Sequence, residues 1–421
     1  MSKSLWRYRL LLRILAPLIL AFNAWQALRA RDIRVFRHRL GVCRPRRPDS
    51  PLWLHAASVG ELIAAQPLIA ILRERFPHIP IVVTTVTPTG AKLAQQRLPA
   101  DVQHFYLPMD WPGATKRFLR AVKPRAALIM ETELWPNLFI SIAKHDIPLI
   151  IVNGRLSNRS RDAAGWIKML YAIALKNVSA ILARSADDAQ AYITLGASAD
   201  NVRTLGNIKF TGTANSAPQA IDLGRPYVLA ASTHNDEEKQ IAQLWQRIEQ
   251  QAQDRLLVIA PRHPQRLNSI LDQLSETFTN KHIAVRSRNE TVTADTKIYI
   301  ADTLGELEGF MAGADCVFMG GSLIPHGGHN ILEPARLGKP IIFGPHMTNF
   351  AEETQLLLQA GGAKQIETEQ ALSEALVEWL THPQAAAVYG EKAAQLMSTQ
   401  SSILEDYLQA VADLCELKPN K

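Results

Sequence analysis

This sequence predicts two doubly wound α/β domains in tandem, and three observations predict them. Short apolar runs rich in Val, Ile, Leu and Ala alternate with helix-length segments, the pattern of parallel strands covered on both faces. The alternation stops once, at a polar stretch containing Pro and Gly from Thr211 to Arg225, and then restarts. At 421 residues the chain also exceeds what one ordinary core organises. A hydrophobic content of 47% against 20% charged residues excludes a disordered chain.

In the first half, strands are predicted at Leu52–His55, Ile81–Val86, Ala126–Met130, Leu149–Val152 and Ala180–Ala183, with helices over Leu62–Phe76 and, after Pro88-Thr-Gly90, to about Leu98. In the second half they fall at Tyr227–Ala231, Leu256–Ala260, Lys297–Ile300, Cys316–Met319 and Pro340–Phe343. Two such halves place a crevice at the carboxyl ends of their strands, where open parallel sheets bind ligands.

The net charge of +7 is a property of the N-terminus. Residues 1–50 hold twelve Lys and Arg against two Asp, a net +10, so residues 51–421 carry −3. Leu10 to Leu28 is apolar but interrupted by Arg13, Asn23 and Gln26. Spanning hydrocarbon takes about 20 mostly apolar residues, so the segment is expected to be a short uncleaved anchor or an interfacial helix. The arginines from Arg29 to Arg47 suit anionic lipid and keep the body of the protein cytoplasmic. Three distant cysteines, Cys43, Cys316 and Cys415, indicate neither a disulfide framework nor a zinc site.

Polar and glycine residues gather after nearly every predicted strand. The densest segment is Met319-Gly-Gly-Ser-Leu-Ile-Pro-His-Gly-Gly-His-Asn-Ile-Leu-Glu-Pro334, between a strand and a predicted helix from Ile331 to Leu337. Glycines Gly320 and Gly321, with Ser322, let backbone N–H groups approach a ligand. A helix starting at Asn330 would aim its free amides at an anion, which makes a nucleotide-type ligand the leading expectation. Glu61, beside Ser58 and Gly60, reads either as a helix-start carboxylate or as a general base. Glu131 and Glu133 follow a buried strand, where a carboxylate usually has a hydrogen-bonding role. Arg262, after Pro261, suits a phosphate or carboxylate clamp. Glu333 is placed to accept from ribose hydroxyls. His326 and His329 are three apart but lack a carboxylate cluster, so no metal site is expected. The sequence has no Asp-x-Asp, no Walker Gly-Lys-Ser/Thr and no early Gly-x-Gly-x-x-Gly, which weakens kinase, ATPase and dehydrogenase readings.

Together these motifs resemble the Kdo (3-deoxy-D-manno-octulosonic acid) transferases of lipopolysaccharide and lipid A biosynthesis. The resemblance runs through His55-Ala-Ala-Ser-Val-Gly-Glu61, Val83-Thr-Thr-Val-Thr-Pro-Thr-Gly90, Met130-Glu-Thr-Glu-Leu-Trp-Pro-Asn137 and Asn207-Ile-Lys-Phe210. It continues through Ala231-Ser-Thr-His234, Pro261-Arg-His-Pro264, Asp302-Thr-Leu-Gly-Glu306 and Gly320 to Glu333. Leu304, where the family often has Met, and Asn207 are small departures. The resemblance implies an α/β GT-B glycosyltransferase, inverting and metal-independent, with two Rossmann-like doubly wound domains and a cleft between them. It implies a membrane anchor over 1–34, an acceptor domain over 35–212 and a donor domain over 225–421, with the last helix free to return to the first domain.

The implied donor is CMP-Kdo, and no further cofactor is implied. The implied acceptor is lipid IVA or another lipid A precursor, at the cytoplasmic face of the inner membrane with its anionic lipids and without nucleic acid. The resemblance implies Glu61 as the base, with Glu131 and Lys209 as transition-state stabilisers. Donor contacts would fall on Pro261, Arg262, Leu304, Gly305, Glu306, Asn330, Ile331, Leu332 and Glu333, together with the segment Gly320, Gly321 and Ser322. Ser58, Gly60, Thr233 and His234 are further candidates for acceptor or Kdo contacts. A GT-B-fold nucleotide-sugar epimerase and a non-enzymatic membrane-binding protein are the alternatives.

Overall fold

In a computed structural model, which describes residues 2–46, 50–131, 133–211, 218–252, 254–400 and 402–418, the apolar runs form two seven-stranded sheets whose paired strands are all parallel. The chain divides into two compact units, Met1–Ala214 with Ser401–Lys421, and Asn215–Gln400. The predicted linker from Thr211 to Arg225 lies partly outside the described residues.

The first unit contains β1 (Leu52–His55), β2 (Ile81–Thr85), β3 (Gln103–Tyr106), β4 (Ala126–Met130), β5 (Leu149–Gly154), β6 (Ala180–Ala183) and β7 (Val202–Thr204), in the order β3-β2-β1-β4-β5-β6-β7. The second contains β8 (Tyr227–Thr233), β9 (Leu256–Pro261), β10 (Ile283–Val285), β11 (Ile298–Ile300), β12 (Cys316–Met319), β13 (Ile341–Phe343) and β14 (Lys364–Gln365), in the order β10-β11-β9-β8-β12-β13-β14. Each sheet has a switch point beside its first strand, between β1 and β4 and between β8 and β12. At such a switch point the connections leave to opposite faces and open a crevice beyond the strand ends. The four strands that the sequence does not announce, β3, β7, β10 and β14, are the four sheet edges. An edge strand needs little apolar patterning, and these are short or polar.

The segment expected to be an N-terminal anchor is not a single helix. Residues Lys3–Ile14 and Ala16–Ala30 form two helices bent by 57°, and among the described residues no single helix is long and apolar enough to cross a membrane, although this bent pair passes by length and composition. Pro17 causes the break: it has no N–H to donate to Arg13, and its ring crowds the preceding turn. The pair is two-faced. Tyr8 donates to Asp110 at 2.8 Å and Arg9 to Asn137 at 2.7 Å, while Leu5, Asn23 and Ala27 are buried. On the other side Trp6, Ile14, Leu18, Phe22, Trp25 and Leu28 are exposed.

One face of the first sheet is covered by helix Val59–Arg75 together with the last helix, Ser402–Leu414, which belongs to the first unit. Tyr407 is fully buried there, and its hydroxyl donates to the carbonyls of Gly206 at 3.0 Å and Leu182 at 3.3 Å. Removing a buried aromatic side chain typically costs about 3–5 kcal/mol. Tyr407→Ala is therefore expected to lower the denaturant midpoint of the first unit by that order; a change below about 1 kcal/mol would place Tyr407 outside the core.

Candidate functional site

In the first unit, the turns after β1 and β4 flank the switch point and carry the predicted carboxylates. Ser58 caps helix Val59–Arg75 by accepting from the Glu61 N–H at 3.2 Å, while Glu61 Oε2 accepts from the Ala57 N–H at 2.7 Å. This is a capping-box exchange displaced by one residue, so Glu61 has the structural role that its position predicts. Its other oxygen, Oε1, is held among the described residues only by the Ser58 hydroxyl at 3.2 Å. Burial pushes the carboxyl up to about 7, assisted by the charges of Glu131 and Glu133 and opposed by the Ala57 and Ser58 hydrogen bonds. A side chain at Gly60 would meet only the Ser58 hydroxyl among the described residues, at 3.9 Å.

Glu131 ends β4 in the left-handed region, with φ 53°, and Asn153 ends β5 with φ 54°. A non-glycine residue there costs about 1–3 kcal/mol, and such strain concentrates at ligand sites. The Glu131 backbone is pinned by the buried Tyr192 hydroxyl, which donates to its carbonyl at 2.9 Å. Its carboxylate pairs with Lys209 at 3.1 Å. Lys209 sits on the short turn Ile208–Phe210, fixed from both sides: Asn153 accepts from the Ile208 N–H at 3.0 Å and Asn207 from the Lys209 N–H at 3.1 Å. Glu61, Glu131 and Lys209 thus come together. Asn153, which with Tyr192 holds them in place, is visible in the sequence only as a polar residue after a strand, and Tyr192 carries no signal there.

In the second unit the glycine segment departs from expectation. Glu237, with no solvent exposure, takes the Gly321 N–H at 2.7 Å, the Ser322 and Leu323 N–H groups at 3.1 Å each, and the His234 N–H at 3.0 Å. The Ser322 hydroxyl donates to the Met319 carbonyl at 2.5 Å and accepts from the Gly344 N–H at 2.8 Å. Gly320 lies so close to the Ser232 and Thr233 backbone that a side chain has no room. These three residues therefore shape the loop; their amides are taken, and they do not form the expected phosphate cradle. Among the described residues the amides of His329, Asn330 and Ile331 have no acceptor, which moves the available donors to the far end of the segment.

The helix that follows is also shorter than predicted, Leu332–Arg336 with Ile331 at its cap. Five residues make a weak dipole, so anion binding there depends on discrete groups. Asn330 accepts from the Leu332 N–H at 3.2 Å and donates to Glu333 at 2.9 Å. Burial raises the Glu333 carboxyl, while Asn330 and the charge of Arg262 lower it. Arg262 and His263 are exposed beyond the end of β9. Thr233 is buried, its hydroxyl donating to Glu238 at 3.1 Å, which commits it to the scaffold. Leu304 and Gly305 present backbone to open space, but the Glu306 side chain is taken by Arg286 at 2.6 Å and by the Thr303 hydroxyl.

Four imidazoles also gather at this switch point. The Nε2 atoms of His234 and His329 lie 2.8 Å apart, His326 stacks on His234 at 4.3 Å, and His263 meets it edge-on at 5.8 Å. Burial and the neighbouring His and Arg charges press His234 and His329 down to about 4, so both are neutral near pH 7. The sequence shows only the His326–His329 spacing; the fold supplies the other two.

Residues 34–212 match the family of 3-deoxy-D-manno-octulosonic-acid transferases (kdotransferases). Over 393 residues the chain is 36% identical to the 3-deoxy-D-manno-octulosonic acid transferase of Haemophilus influenzae, covering 89% of this chain and 91% of the relative. It is 31% identical over 426 residues to that of Bordetella pertussis, covering 96% and 98%. In fold it resembles the UDP-GlcNAc 2-epimerase of Neisseria meningitidis, with a TM-score of 0.57, 14% identity, and 86% of this chain matched to all of that one.

Glu237→Ala is expected to leave four buried amides without an acceptor. Losing hydrogen bonds to a buried charge costs about 3–5 kcal/mol, so calorimetry should show the second unit melting well below its wild-type temperature. An unchanged melting profile would deny Glu237 its role as the organiser of this loop.

Proposed function

Since this chain belongs to the 3-deoxy-D-manno-octulosonic acid transferase family and is a glycosyltransferase, we propose that it moves Kdo from CMP-Kdo to a hydroxyl of a lipid A precursor such as lipid IVA, with inversion at the anomeric carbon. The observation that carries this reading is Glu61: a half-buried carboxyl held near neutrality, with one lightly bonded oxygen, beside the Glu131–Lys209 pair. In the reaction the acceptor oxygen forms a bond to the anomeric carbon as the bond from that carbon to the CMP phosphate oxygen breaks. Glu61 takes the acceptor proton. Positive character grows on the sugar and negative charge on the departing phosphate. Glu131 favours the first, while Lys209 meets a carboxylate or phosphate charge.

Arg262 and the open amides from His329 to Ile331 suit the CMP phosphate, and Glu333 suits the ribose hydroxyls. A charge-assisted hydrogen bond of this kind contributes about 1.5–3 kcal/mol. With these cations and amides in place, the proposed chemistry requires no metal and no cofactor besides the donor. The exposed apolar face of the two N-terminal helices, flanked by arginines, supports attachment to the cytoplasmic face of an inner membrane by lying in the interface, where an amphiphilic acceptor also resides.

Glu61→Gln keeps the shape and removes the base. Kdo transfer to lipid IVA, followed by product mass, should fall by at least about a hundredfold, with CMP-Kdo affinity by calorimetry unchanged. Near-normal transfer with intact donor binding would remove Glu61 from the mechanism.

The pH dependence has a definite sign. The folded-state pKa of about 7 lies above the ordinary 4.5, so the folded protein retains the Glu61 proton where an unfolded chain has lost it. This site therefore works against stability increasingly as pH rises from about 4.5 to about 7. Activity runs the other way, because only the ionised base accepts a proton. The rate should climb with pH and level off above about 7, and Glu133→Gln, which removes a charge that raises Glu61, should move that limb to lower pH. A limb that stays in place would show that Glu61 does not set it.

A further inference from the structure

Away from the catalytic carboxylates, the first unit has a cavity of about 440 Å³ along the flank of β3, its edge strand. Helix Arg34–Arg39 and the segment running on to Arg46 form one wall, and the loop from Leu98 to Val102, which enters β3, forms another. Four guanidinium groups line it, from Arg34, Arg37, Arg44 and Arg46, and among the described residues no Asp or Glu does. Arg34 is neutralised by a two-pronged pair with Asp32, at 2.9 Å through each arm. Arg37, Arg44 and Arg46 have no carboxylate partner among the described residues. Three arginines around one cavity without a counter-charge repel one another unless an anion sits among them. The two imidazoles in the wall report the same field. His38 and His104 are pressed down to about 4 by burial and by arginine charge, Arg34 acting on both and Arg37 on His38.

Apart from Gln95 and Gln103, the rest of the lining is apolar. Leu98 and Val102 form part of the floor, and Val42 at the mouth is exposed. Beside it Ile33 is exposed, and helix Ala16–Ala30, which packs on Arg34–Arg39, continues the apolar surface through Leu28, Trp25 and Phe22. A phosphate among the guanidinium groups would therefore have its acyl chains running onto a greasy helix face. A free phosphate ion would leave that surface unused. The place is also distinct from the reaction centre, because β3 stands two strands from β1 and the loop from Leu98 to Val102 is at the amino end of the sheet, whereas Glu61 and Glu131 follow the carboxyl ends.

We propose that this cavity is a binding site for the phosphodiester headgroup of an anionic bilayer phospholipid, held by Arg37, Arg44 and Arg46. The proposal rests on the membrane attachment argued above and gives it a specific partner. The site would fix the depth and rotation of the first unit on the bilayer, so that its catalytic edge faces the interface at a set angle.

Charge placement separates a built site from general attraction. Two triple variants remove the same charge: Arg37, Arg44 and Arg46 to Gln within the cavity, and Arg7, Arg13 and Arg29 to Gln on the exposed helix surface. Full-length protein is sedimented with vesicles of phosphatidylcholine alone and of phosphatidylcholine mixed equally with phosphatidylglycerol. The cavity triple is expected to weaken binding to the mixed vesicles at least about tenfold more than the surface triple, whereas diffuse attraction, about 1 kcal/mol per arginine wherever it sits, would weaken both alike. Equal losses overturn the proposal. So does full competition by soluble glycerol phosphate, which would make the cavity a site for free phosphate. Wild-type protein that ignores both kinds of vesicle overturns the membrane attachment itself, and the headgroup site with it.

Discussion

The buried carboxylate of Glu237 fixes the ligand-facing end of the second unit. It binds the end of β8, through His234, to the loop after β12, through Gly321, Ser322 and Leu323, and so joins the two sides of the topological switch point. Burying one ion costs several kcal/mol unless it is fully satisfied; four amides aimed at two oxygens meet that condition. The internal anion occupies the place where a ligand phosphate was expected. The consequence is rigidity: with its first amides bound internally, the segment can only present its far end, from His329 to Ile331, to a substrate. A loop with so many glycines would otherwise sample many shapes, and the entropy of ordering it would be charged against binding.

The first unit solves the same problem differently. Here the strand ends are strained rather than tied: Glu131 and Asn153 both hold left-handed backbone, and Tyr192, Asn153 and Asn207 fix the surroundings by hydrogen bonds to backbone groups. Glu61 is held by its own helix cap. Each functional side chain thus has a backbone that neighbours over-determine, which lets a reactive group keep its position when the substrate arrives. The structural and chemical readings of Glu61 are not in competition. The cap orients one oxygen and leaves the other lightly held.

These devices explain what the sequence made legible. The strands of the sheet interiors can be read because both their faces are buried, which leaves apolar runs; β3 and β14 cannot, since Gln103-His-Phe-Tyr106 and Lys364-Gln365 are edge strands that meet water. Glu61, Glu131, Lys209 and Arg262 are legible because their motifs are contiguous. Glu237 is not: beside Glu238 at a helix start, it looks like any acid complementing a dipole, and only its partners 84 to 86 residues away give it its role. The histidine cluster is hidden for the same reason, being assembled from three loops. Local sequence reports periodicity and contiguous motifs; it does not report which distant amides a carboxylate will meet.

The N-terminal segment follows from the same logic of two faces. A continuous apolar helix would insert and leave the catalytic unit on a flexible tether. Pro17 breaks it; of the polar residues that interrupt it, Asn23 is buried against Met109 while Arg13 stays exposed, and just ahead of the apolar stretch Tyr8 and Arg9 bond to the first unit. Polar contacts thus fasten one side of the helix pair to the first unit, while Ile14, Leu18, Phe22 and Leu28 stay exposed on the other. An acceptor whose acyl chains stay in the membrane offers its hydroxyl at one height only. On the proposed reading, a two-faced helix pair docked on the first unit would set the height of Glu61 relative to that plane, which a spanning helix on a tether would not.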